Sequence, residues 1–133
     1  MVLVDLEVLE FKMEEPKLHP LRIVSGWNIE WNLFYEIDPS IETMTYFDSS
    51  SLLHLNNYHV MRAINLDWKP ENDVNGHYHL RVINLTEVLN PKTKKINYNG
   101  DWENLYVDFT SKNRLEIVKE IERLVVQIPP FKG

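Results

Sequence analysis

The first residues that could do chemistry together are two histidines and an aspartate. His77 and His79 stand two apart in the alternating stretch His77–Leu85, so a strand points both imidazoles to one face. Tyr58–Trp68 alternates as well, and KPENDVNG (69–76), rich in turn-favouring residues, separates the two. Together they read as a β-hairpin. One register sets Asp67 opposite His77, Asn65 opposite His79 and Ala63 opposite Arg81, with Leu66 against Tyr78 and Ile64 against Leu80 behind. That register would gather His77, His79 and Asp67 into a two-His-one-carboxylate metal set. The plain alternative is a solvated face that carries a His-x-His pair. No third ligand stands at a fixed spacing, and sets with His54 or His59 are weaker still. The expectation is therefore no cofactor, with a small metal-dependent enzyme or ligand-binding protein using His77/His79/Asp67 as the alternative.

Other chemistries find less. A glycosidase pair needs two carboxylates roughly 5–9.5 Å apart in a cleft. Glu30 and Glu36 share a strand parity but sit six residues apart, or roughly 20 Å along a strand. Ser49–Ser51 lies in a polar turn without the Gly-x-Ser-x-Gly that strains a nucleophile into place. With glycines at 26, 76, 100 and 133 alone, no phosphate-cradling loop can be written. The chain has no cysteine, hence no thiol nucleophile, disulfide or Cys-based zinc site. The KTKK run (92–95) is too short for a nucleic-acid patch, and a net charge of −6 repels phosphate backbones.

The elements that must position these residues begin with GWNIEWNLFYEI (26–37), the longest clean alternation. Trp27, Ile29, Trp31, Leu33, Tyr35 and Ile37 share one parity, which predicts a strand near the middle of a sheet with these residues in the core. The other parity, Asn28, Glu30, Asn32, Phe34 and Glu36, is polar apart from Phe34. It could be an acidic binding surface with an aromatic anchor, or a face covered by a helix. Residues 2–12 alternate and predict a first strand; His19–Val24 predicts a second extended piece. Residues 40–47 fit either a short helix or a short strand, and Leu52, Leu53 and Leu55 form an apolar patch. Asn99-Gly100 signals a tight turn in a short arm, and Leu105–Phe109 a short strand. Thr110 or Ser111 offers a helix cap. Over Arg114–Gln127, Ile117, Val118, Ile121, Leu124, Val125 and Ile128 fall within an arc of about 120°, the pattern of an amphipathic helix, which Pro129-Pro130 stops.

At 133 residues the sequence predicts a single α+β domain, residues 1–133. Its mainly antiparallel sheet has five to six strands and a C-terminal amphipathic helix packed on one face. The N-terminal stretch lacks a basic n-region, and no apolar run is long enough to span a bilayer, so the expectation is a cytoplasmic protein without a membrane or nucleic-acid partner.

The C-terminal third, GDWENLYVDFTSKNRLEIVKEIERLV (100–125), resembles the immunity proteins of bacterial polymorphic and contact-dependent toxin systems. It shares with them a Trp-Glu-x-Leu hairpin edge, a short strand ending Phe-Thr-Ser and a closing helix. The resemblance implies an acidic cytosolic inhibitor without catalytic residues that occludes a toxin domain, often a basic nuclease. From the residues themselves, Glu30, Phe34, Glu36 and Asp67 are the candidates for partner binding, and an oligomer formed through a sheet edge is the third possibility.

Overall fold

The computed structural model describes residues 15–127. The strand predicted over residues 2–12 and the stop signal at Pro129-Pro130 lie outside that range. Among the described residues six strands and one α-helix form an α+β fold: β1 (Asn28–Asn32), β2 (Leu53–Asn57), β3 (Arg62–Lys69), β4 (His77–Leu89), β5 (Ile96–Gly100), β6 (Val107–Ser111) and α1 (Arg114–Gln127). A 3₁₀ helix, Ile41–Phe47, precedes β2 and delivers Met44 and Phe47 to the core. Every strand pairing is antiparallel, and the path runs β1-β2-β3-β4-β5. The long β4 changes partner along its length. Tyr78–Val82 pairs with β6, and Leu85–Leu89 pairs with β5 in a two-stranded ribbon.

The core lies between one sheet face and α1. Leu53, Leu55, Ile64, Leu66, Trp68, Tyr78, Leu80 and Val82 alternate inward from β2, β3 and β4 to meet Ile117, Ile121, Leu124 and Val125. The helix keeps the predicted bounds and apolar face. Its cap is Asn113, not Thr110 or Ser111: Asn113 Oδ1 accepts the Glu116 amide at 3.1 Å, and Ser111 Oγ accepts the Asn113 amide. A second, small apolar cluster sits on the opposite sheet face. There Ala63, Ile83 and Leu85 are covered by Leu105, Tyr58 and Met61.

Several expectations are corrected. The stretch 26–37 is not a central core strand; only Asn28–Asn32 forms a strand, paired with β2 at the end of the strand path. A register shift between Ile29 and Trp31 flips its parity. Asn32 Oδ1 then accepts the Phe34 amide at 2.9 Å and turns the chain. Trp31 and Leu33 end exposed, Ile29 is exposed too, and Phe34 is buried. Trp27 still packs against the core, its indole N–H donating to the Val125 carbonyl at the end of α1. The piece His19–Val24 forms no strand, and the neighbouring Leu18 makes an isolated bridge to Tyr35. Asn99-Gly100 ends β5 instead of turning. The turn of the arm is at Asn90–Lys95, where the Asn90 amide donates to the Lys95 carbonyl. Gly100 allows close approach: a Cβ there would come within 2.4 Å of Ile83 Cδ1 and would push that buried side chain aside.

Candidate functional site

The sheet face opposite α1 carries a row of side chains in cross-strand register. Trp31 of β1 pairs with His54 of β2, His54 with Asn65 of β3, Asn65 with Arg81 of β4, and Arg81 with Asp108 of β6. Directly opposed residues on one face of antiparallel strands are close enough to interact, and from Trp31 to Arg81 these do. Trp31 stacks on the His54 ring at 4.8 Å between centroids. Asn65 Nδ2 lies 3.1 Å from His54 Nδ1, and His54 Nε2 lies 3.0 Å from Asn56 Oδ1. An amide nitrogen can only donate, so Nδ1 accepts and His54 is the neutral Nε2–H tautomer. Asn56 Nδ2 donates in turn to the Tyr58 hydroxyl at 3.1 Å. At the other end Arg81 Nη2 donates to Asn65 Oδ1 at 3.4 Å. The bonds therefore run in one direction, Arg81 to Asn65 to His54 to Asn56 to Tyr58.

Asp67, one step along β3, anchors the row. Its Oδ2 accepts from Arg81 Nη2 at 2.5 Å, and the residue is 1% exposed. Burial pushes its carboxyl above the usual range, with the Arg81 charge pulling it back. Burial likewise holds His54 below its ordinary value, opposed by the Asn56 bond and by the charge of Glu30. Asp67 Oδ1 and Arg81 Nε are buried without a partner among the described residues. Trp102, from the loop after β5, lies over the Arg81 guanidinium at 4.8 Å. Trp31, Ser50, Ser51, His54, Asn65, Asp67, Lys69, Arg81 and Trp102 enclose an open cleft of about 380 Å³.

The predicted site residues separate. Asp67 is in the cleft, as floor beneath Arg81 and not as accessible surface. Glu30 is exposed on β1, and its charge is felt at His54. Glu36 lies beyond the strand, beside Glu15, Pro16 and Lys17. Phe34 is no surface anchor: it is 1% exposed, stacked on His19 and edge-on to Tyr78. The metal set does not assemble. The hairpin register places Asp67 opposite His79, Asn65 opposite Arg81 and Lys69 opposite His77, a shift of two that keeps each residue on its predicted face. Asp67 is engaged by Arg81, and His79 Nε2 by Asp108 Oδ1. Among the described residues no three His, Asp or Glu side chains group to hold a metal. No helix among them is long and apolar enough to cross a membrane.

Sequence reasoning missed Arg81 and Trp102. Arg81 was visible as a charged residue on the polar parity of an otherwise apolar strand. Nothing local announces Trp102, which reaches the site through the ribbon that precedes it. No protein-family model, curated protein or solved structure matches the chain.

Proposed function

We propose that this chain is a protein-binding domain without catalytic chemistry of its own, which presents the sheet face around the cleft to its partner. One observation carries the reading. Trp31 and Trp102, 44% and 45% exposed, line one cleft with a guanidinium held in place, on a face that α1 leaves uncovered. Tryptophan and arginine at the centre of a patch are the side chains that dominate binding energy in protein interfaces. A fixed guanidinium loses little entropy when it is bound. The more specific form of the proposal is an inhibitor that occludes a toxin domain. Its support is the net charge of −6, which steers a basic partner, and the likeness of the C-terminal third to immunity proteins. Glu30, beside the cleft, would meet such a partner's cations.

The experiment is co-expression with the products of the genes flanking its own, then affinity measurement on the purified complex. Trp31→Ala and Trp102→Ala should each weaken binding about thirtyfold, the mark of a hot spot of about 2 kcal/mol. Glu36→Gln, remote from the cleft, should leave affinity unchanged. Full-strength binding by the folded double tryptophan variant would remove this face from the proposal. Failure of every flanking product to bind would remove the inhibitor form.

A further inference from the structure

The cleft has an imbalance of hydrogen-bonding groups. Apart from the Ser50 hydroxyl, its acceptors are engaged or closed off. Ser51 Oγ accepts from Asn65, Asn65 Oδ1 from Arg81, His54 Nδ1 from Asn65, and Asp67 Oδ2 from Arg81. Asp67 Oδ1 has no partner among the described residues, but it is shut away from solvent. The donors are not engaged in the same way. Arg81 Nη1, the Ser50 hydroxyl and the indole N–H groups of Trp31 and Trp102 make no hydrogen bond among the described residues. Lys69 Nζ, an ammonium with three donors, holds only Glu71, at 3.1 Å.

Resting on the reading of this face as a partner surface, we infer that the cleft is a carboxylate-binding subsite that receives an aspartate or glutamate side chain of the partner. A carboxylate accepts only, and its planar charge matches a guanidinium. Its methylene stem would lie between two indoles, whose apolar faces exclude water and strengthen the charged contact. A sugar hydroxyl must also donate, and apart from the serine oxygens the cleft offers it no free acceptor. A phosphate dianion would sit badly above a buried Asp67 that already answers the Arg81 charge. The subsite is thus a locally cationic point on an acidic protein, which adds specificity to the broad charge of the surface.

The test needs no partner. The full ¹⁵N-labelled chain is titrated with sodium acetate, acetamide or sodium phosphate at constant ionic strength, following Arg81 Nε–H and the indole N–H signals of Trp31 and Trp102. Acetate should shift all three saturably. Acetamide should bind about tenfold more weakly, the loss expected for one charge-assisted hydrogen bond. Lys69→Met, at a half-buried position, should weaken acetate severalfold without loss of signal dispersion, and Arg81→Lys should weaken it more, read at the indoles. Acetamide equal to acetate, phosphate tighter than acetate, or no saturable shift would each overturn the subsite. Partner affinity of the tryptophan variants is a separate readout. A lost complex with no acetate binding leaves the surface standing and removes the carboxylate.

Discussion

Two arginine–aspartate–histidine groups lie on opposite sides of the same sheet, and they differ in which charge is hidden. On the helix side Arg114 donates from Nε to Asp38 Oδ1 at 2.8 Å and from Nη1 to His19 Nε2 at 2.6 Å. His19 Nδ1 donates to the Pro20 carbonyl. The Asp38 side chain is 75% exposed. This group fastens three distant segments, residues 19–20, residue 38 and the start of α1, and each of those polar atoms has a partner. On the open side the carboxylate is the buried member, and the guanidinium faces a cleft with a nitrogen unpartnered. The first arrangement is a staple whose charge is answered by water. The second holds a cation ready at a cost in desolvation that the Asp67 pair offsets only in part, since Asp67 Oδ1 and Arg81 Nε stay unpartnered among the described residues.

The contrast can be broken first at Phe34, beside the staple. Phe34→Ala should lower unfolding stability by about 3–5 kcal/mol, as for other buried aromatic truncations, read from urea midpoints. A loss below about 0.5 kcal/mol, typical of a surface site, would return Phe34 to the surface and dissolve the staple as drawn. Next, Arg81→Met strands the buried Asp67 and should cost about 2–3 kcal/mol, somewhat less than a fully enclosed pair because the guanidinium is partly exposed. Adding Asp67→Asn to that variant should recover much of the loss. Asp38→Asn, at the exposed carboxylate, should cost about 1 kcal/mol or less. Equal costs at Asp38 and Arg81 would erase the distinction between the two groups.

The smallest effect is the pH dependence. Burial depresses His54, so between its folded value and 6.5 the unfolded chain holds more protons. Its contribution is complete above 6.5 and is lost as pH falls through that window. Asp67 is raised, so above 3.8 the folded chain holds more protons, and its contribution is lost as pH rises through the folded value. Urea midpoints should therefore show His54→Gln flattening the slope below pH 6.5. An unchanged slope would place His54 outside the buried network.

The helix and the β3–β4 hairpin were legible because each rests on a period that one buried face enforces. Period two also explains the partial success at the hairpin. It fixes which face His77, His79 and Asp67 take, and it cannot fix which residue faces which, so the register came out two residues off and the cross-strand partners changed. The stretch 26–37 failed for the complementary reason. One register shift between Ile29 and Trp31 exchanges the two faces, and Trp, Ile and Leu read the same whether buried or exposed at an edge. The cleft was half legible. Asn65, Asp67 and Arg81 stood on one predicted face, whereas Trp31 was assigned to the core and Trp102 arrives through pairing remote from its own neighbours.

The ribbon of β4 and β5 gives the cleft a mechanical character. Thr86–Leu89 and Ile96–Gly100 pair with each other, and almost all of their side chains are exposed. Two strands with little core beneath them are marginal and open locally well before the molecule unfolds. Trp102 follows directly, tied by the Asp101 amide to the Asn84 carbonyl at the root of that ribbon. One wall of the cleft therefore hangs on a part of the sheet with little core beneath it, while its floor belongs to the most buried strand. Amide hydrogens of the ribbon should exchange faster than those of β3. An occupant that touches Trp102 must slow that exchange in proportion to its affinity, so the arm reports on a site it does not line.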